Sequence, residues 1–177
     1  MSAEEARRYH AHQIQVFADS GCDLVSVLTL TYPAEGLGIT RAARDADVPV
    51  VLYFTVETDG RLPDGSSLRH AIELIDADTD GYVAYYGINC AHPDHIAPAI
   101  AQGGEWTHRI RAVRANASRM SHAELDQAES LDDGDPEELA TDYSTLQQAL
   151  PNATVFGGCC GTDVRHVRAI AGALTRP

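Results

Sequence analysis

Five short β-rich runs, each followed by a segment with helical periodicity, constrain this chain more than any other feature of its 177 residues. A polar opening segment, 2–20, reads as a helix: Ser2 stands three residues before Glu5, and Tyr9, Ile14, Phe17 and Ala18 form an apolar stripe. Gly21 ends it. Strand runs then fall at 24–29, 48–56, 82–89, 110–117 and 153–156, and helices at 34–46, 67–77, 93–101, 136–150 and 163–174. Strands separated by one helix each run parallel, because a tight hairpin returns the chain antiparallel. The run 48–56 is almost wholly apolar, which predicts burial on both faces. Such an alternation fits an open doubly wound sheet or part of a (β/α)₈ barrel. No Gly-x-Gly-x-x-Gly follows the first strand, so the dinucleotide fingerprint is missing, and five units fall short of a closed eight-stranded barrel. The expectation is one domain, residues 1–177, built as a partial barrel.

Charge narrows the chemistry. All 13 basic residues are arginine, against 26 Asp and Glu, a formal charge of −13. Without lysine there is no Schiff base, no pyridoxal-phosphate anchor and no P-loop lysine. A chain this acidic repels nucleic acid and anionic membranes, so neither is expected as a partner. The apolar runs are too short for a membrane span and the N-terminus is unlike a signal peptide, which predicts a cytoplasmic protein.

Three of the four cysteines lie just past the ends of predicted strands, in Gly87-Ile88-Asn89-Cys90 and Gly157-Gly158-Cys159-Cys160-Gly161. The C-terminal ends of parallel strands are where such folds place their sites. Three thiols suit zinc, with a fourth position left open for a substrate, and the flanking glycines permit the sharp turn that adjacent ligands need. Spacing alone leaves two other readings open: small buried residues, or a redox pair at Cys159 and Cys160.

The pairing of Gly87-Ile88-Asn89-Cys90 with Gly157-Gly158-Cys159-Cys160-Gly161-Thr162 resembles the zinc motifs of the homocysteine S-methyltransferase family. The stretches 18–24, Phe54-Thr55-Val56 and Arg114-Ala115-Asn116-Ala117-Ser118 are similar as well. The resemblance implies a (β/α)₈ barrel of which this chain holds strands four to eight. It also implies a Zn²⁺ ion bound by Cys90, Cys159 and Cys160, taking homocysteine sulfur as the fourth ligand. The thiolate would be methylated by a sulfonium or betaine-type donor to give methionine. Asn89, Asn116 and Gly158 become candidate substrate contacts. The family's first three strands have no counterpart here, and its Glu-Thr after strand four is replaced by Leu28 and Thr29. The alternative is therefore a truncated, catalytically inactive zinc-binding homologue, or a fragment of a longer enzyme, that associates with another chain to cover the open barrel.

Other polar residues receive plainer readings. His92 and His95 are read as caps or surface groups, His166 as a surface group, and Asp132-Asp133-Gly134-Asp135 as a solvated acidic loop lacking calcium-ligand spacing. The loop 57–65 is expected near the site, with Glu57-Thr58-Asp59-Gly60-Arg61 a candidate donor contact.

Overall fold

The computed structural model describes residues 1–175. Helix α1 (Ala3–Asp19) starts with a complete capping box between Ser2 and Glu5. Five βα units follow: β1 (Val25–Leu30), α2 (Pro33–Asp45), β2 (Val50–Phe54), α3 (Leu68–Thr79), β3 (Tyr85–Asn89), α4 (Pro93–Ile100), β4 (Ile110–Ala115), α5 (His122–Gln127), α6 (Pro136–Ala149), β5 (Val155–Gly158) and α7 (Val164–Leu174). A 3₁₀ turn, Glu105–Arg109, leads into β4. All strands run parallel in one sheet whose spatial order is the chain order, the sequential winding of a partial (β/α)₈ barrel.

Register sorts the side chains into two faces. Val50, Leu52, Phe54, Tyr86 and Ile88 point to the helices and meet Ile72, Ile75, Ile96 and Leu139 in the main core. Every residue of β2 is buried, as its unbroken apolar sequence requires. Truncating a side chain such as Leu52 to Ala costs about 2–5 kcal/mol. On the other face Val51, Tyr53 and Ala112 form a smaller cluster with Tyr85. The same face emerges at the two sheet margins as Leu28 and Val155, 47% and 42% exposed.

Helix α1 crosses α2 at Gly38, where a Cβ would lie 2.4 Å from the Ala3 carbonyl oxygen. A larger residue there would separate the two helices. Among the described residues no helix is long and apolar enough to cross a membrane. Between the predicted strand at 110–117 and the predicted helix at 136–150 lies α5, which buries none of its side chains and so leaves no apolar stripe in the sequence.

Candidate metal centre

The strand ends carry the site. Cys90 follows β3 directly, and Cys159 and Cys160 follow β5, with the end of β4 between them. Backbone bonds fix the spacing: Cys90 N–H donates to the Arg114 carbonyl (3.1 Å), and Cys159 N–H to that of Ala115 (2.8 Å). The Sγ atom of Cys90 lies 3.3 Å from that of Cys159 and 3.5 Å from that of Cys160. All four cysteines are free. Sulfurs at about 2.3 Å from a shared tetrahedral centre stand about 3.8 Å apart, so this trio is spaced for one zinc ion. Cys160 is exposed while the other two are partly buried, leaving one side of the cluster open to an incoming ligand.

Electrostatics favour a cation. Cys159 is pushed down to about 5, first by the bond it shares with the Cys90 thiol. The Cys160 N–H and thiol and the Arg114 charge add to this against burial. Cys90 moves upward, through the same shared bond and through burial. The cluster thus loses its first proton readily, but three adjacent negative sulfurs repel one another and need a positive centre. The donor set fits zinc.

Asn116 laces the two cysteine segments together. Its Oδ1 accepts from Cys160 N–H (3.1 Å) and its Nδ2 donates to the Cys90 carbonyl (3.0 Å). Asn89 is occupied in the same manner: Oδ1 accepts from Thr29 N–H (2.9 Å) and Nδ2 donates to Thr29 Oγ1 (2.8 Å). Both amides are buried and face protein partners. At Gly158 a Cβ would come within 2.0 Å of Thr162 Oγ1, the hydroxyl that donates to the Cys159 carbonyl at 2.7 Å. The three candidate substrate contacts are thus engaged in holding the strand ends.

Two residues at these ends adopt left-handed backbone conformations, Thr29 (φ 62°) and Cys90 (φ 59°). Such a residue other than glycine is held at a cost of about 1 kcal/mol or more and persists only when its surroundings enforce it. For Thr29 the enforcement is Asn89. For Cys90 it is a cradle of donors around one carbonyl: His122 Nε2 at 2.7 Å, Asn116 Nδ2 at 3.0 Å and Thr55 Oγ1 at 3.3 Å. The other ring nitrogen of His122 lies 3.1 Å from Glu57 Oε1. Burial works against charge on this ring, but its bonds to the Cys90 carbonyl and to Glu57 prevail and raise its pKa.

His92 is a cap, as one of its two readings had it, while the burial of His95 and His166 corrects their surface readings. His92, 3% exposed, caps α4 by accepting from the Asp94 N–H, and its pKa is pushed down to about 4, mainly by burial. His95 is buried, with a pKa lowered for the same reason. His166 is wholly buried; its Nδ1 closes the cap with Asp163 and its Nε2 donates to the Asp133 carbonyl at 2.8 Å. The acidic loop is built rather than loose: Asp132 accepts from Ser118 Oγ and from Gly134 N–H, and Asp135 caps α6. Glu57 does reach the site, through His122. His92, Asp94 and Asp142 form a second group of potential metal ligands, but Arg119 already supplies a cation there, bonded to Asp94, Glu138 and Asp142.

His122 escaped the sequence reading. Its local signal was Ser121 three residues before Glu124, which the structure confirms as a capping box opening α5.

Comparison with known proteins gives the chain its family and its fold. The sequence model described as homocysteine S-methyltransferase matches residues 1–174. The chain is 28% identical over 177 residues to homocysteine S-methyltransferase 3 of Arabidopsis thaliana, covering 99% of this chain and 50% of that protein. It is 30% identical over 167 residues to methionine synthase of Mycobacterium leprae, covering 89% of this chain and 13% of the synthase. Its fold matches the apo crystal structure of the homocysteine methyltransferase MmuM from Escherichia coli with a TM-score of 0.72 at 22% identity, over 98% of this chain and 57% of that one. The chain spans about half the length of the plant methyltransferases it matches. By the match of nearly its whole length to the family pattern, it belongs to the homocysteine S-methyltransferase family.

Proposed function

We propose that this chain carries the metal and thiol-binding part of a zinc-dependent homocysteine S-methyltransferase, working in the cytoplasm, where cysteines stay reduced. The observation that supports it is the convergence of Cys90, Cys159 and Cys160 sulfurs, all within 4.8 Å of one another. When bound, zinc would supply Lewis acidity that keeps these thiols, and a substrate thiol at its open position, deprotonated at neutral pH. The chain's own residues do the rest of the positioning. Asn116 sets the distance between the two cysteine segments, Asn89 fixes the end of β1, and Gly158 admits the Thr162 hydroxyl that holds the Cys159 carbonyl.

The substrates are homocysteine and a small sulfonium or betaine-type methyl donor. In the transfer a bond forms between homocysteine sulfur and the methyl carbon. The bond from that carbon to donor sulfur or nitrogen breaks, its electron pair leaves with the donor, and the thiol proton goes to solvent. In-line placement of the two reactants supplies the acceleration.

A second reading draws on the coverage: the chain spans about half of its relatives, and its sheet margins expose Leu28 and Val155. In that reading it binds zinc without turnover unless another polypeptide covers the open barrel. One experiment separates the two. The purified chain is assayed for zinc content and solution mass, with Cys160→Ser as control, and then for methionine formation from homocysteine with sulfonium and betaine donors. Stoichiometric zinc with turnover supports the methyltransferase; stoichiometric zinc without turnover supports the second reading; absence of zinc overturns both.

A further inference from the structure

Helix α5 buries none of its side chains, yet its first residue reaches the strand end that carries Cys90. His122 Nε2 makes the shortest of the three bonds to the Cys90 carbonyl, and Glu57, from the loop after β2, holds the opposite edge of the ring. Thr55 Oγ1 stands 3.3 Å from both the ring and the carbonyl. A single imidazole therefore joins the β2 loop, the end of β3 and the α5 segment.

We propose that His122, oriented by Glu57, is a positioning residue for Cys90, and that docking of α5 and loading of the metal are linked through it. The proposal rests on the metal reading above. With the Cys90 backbone held at this left-handed setting, whatever fixes its carbonyl also fixes the Cα–Cβ bond from which the sulfur reaches Cys159 and Cys160. Losing His122 frees the peptide plane that Asn116 and Thr55 then hold alone. The site loosens without collapsing. Because coupling is reciprocal, the factor by which His122 tightens metal binding is the factor by which metal tightens α5 docking. The Ser121–Glu124 capping box holds the start of α5 independently, so a change at 122 perturbs docking rather than helix formation.

The test is zinc affinity of the whole chain, measured by competition with a chromophoric chelator, together with hydrogen exchange across 118–130 with and without zinc. In the wild-type chain zinc is expected to slow exchange in α5. His122→Ala is expected to weaken zinc binding about tenfold to a hundredfold, the usual range for a group that orients a ligand, and to abolish the zinc-dependent slowing. His122→Gln, whose amide donates to the same carbonyl, is expected to recover most of both, and Glu57→Gln to give a smaller loss. Circular dichroism checks that each variant is folded. Zinc affinity for His122→Ala within about twofold of wild type, or identical α5 exchange with and without zinc, overturns the proposal. A wild-type chain that takes up no zinc overturns the metal reading itself, an outcome seen before any variant is compared.

Discussion

Asn116→Leu is the most informative single change, because it keeps the side chain's volume while deleting both of its bonds across the cysteine segments. The consequences at the two ends differ. The Cys90 carbonyl retains His122 and Thr55, so the loss there is one net hydrogen bond, about 0.5–1.5 kcal/mol. Asn116 Oδ1 is the acceptor for the Cys160 N–H, and leaving that part-buried donor without its partner costs about 1–3 kcal/mol. The sum, about 1.5–4.5 kcal/mol, is measured by urea unfolding of the metal-free chain. With a slope of about 2 kcal/mol/M the midpoint falls by roughly 1–2 M. Zinc affinity of the same variant should fall by about tenfold or more, since the two ligand segments lose their common tie. A variant with the wild-type midpoint and wild-type zinc affinity would refute the claim that this amide holds the centre together.

Cys160→Ser should remove stoichiometric zinc while leaving metal-free stability within about 0.5 kcal/mol, because the side chain is exposed; metal analysis beside thermal melts checks both halves. Gly158→Ala forces a Cβ into the Thr162 hydroxyl and should destabilise the chain by about 1–3 kcal/mol in urea melts, with Thr162→Gly as a second change recovering part of the loss. Burial lowers the folded-state pKa of His95, so the unfolded chain binds more protons as pH falls below about 6.5. That contribution to stability is complete above this pH and is lost below it. The charges of His122, Glu57 and Glu124, the Arg119 backbone and the His92 ring 6.1 Å away all act around this ring and are unchanged in a His95→Gln comparison, which should flatten the acid limb of the metal-free stability profile.

The five βα units were legible because parallel strands covered on both faces must be continuously apolar, as Val50–Phe54 is, while the intervening helices carry caps and one-sided stripes. Helix α5 was hidden for the converse reason: with nothing buried, only its cap distinguished it from a loop. His95 and His166 were misread because the burial of a ring depends on distant partners. His166 lies beneath the Asp133 carbonyl, 33 residues away in sequence, and no local pattern reports that. At the site, spacing left the cysteines open to three interpretations, and the family resemblance selected one. The folded chain adds what neither supplied: the end of β4 lies between the cysteine segments and Asn116 spans them.

The left-handed backbone at Cys90 bears on what this scaffold has been shaped for. Judged by folding alone, glycine is the better occupant of that position: it relieves about 1 kcal/mol of steric strain and forfeits only a small, half-buried thiol. Cys90→Gly is accordingly expected to match or raise the melting temperature of the metal-free chain while abolishing metal uptake. On the proposed zinc reading, a sulfur kept where the backbone would sit more comfortably without it is a compromise between endurance and chemistry.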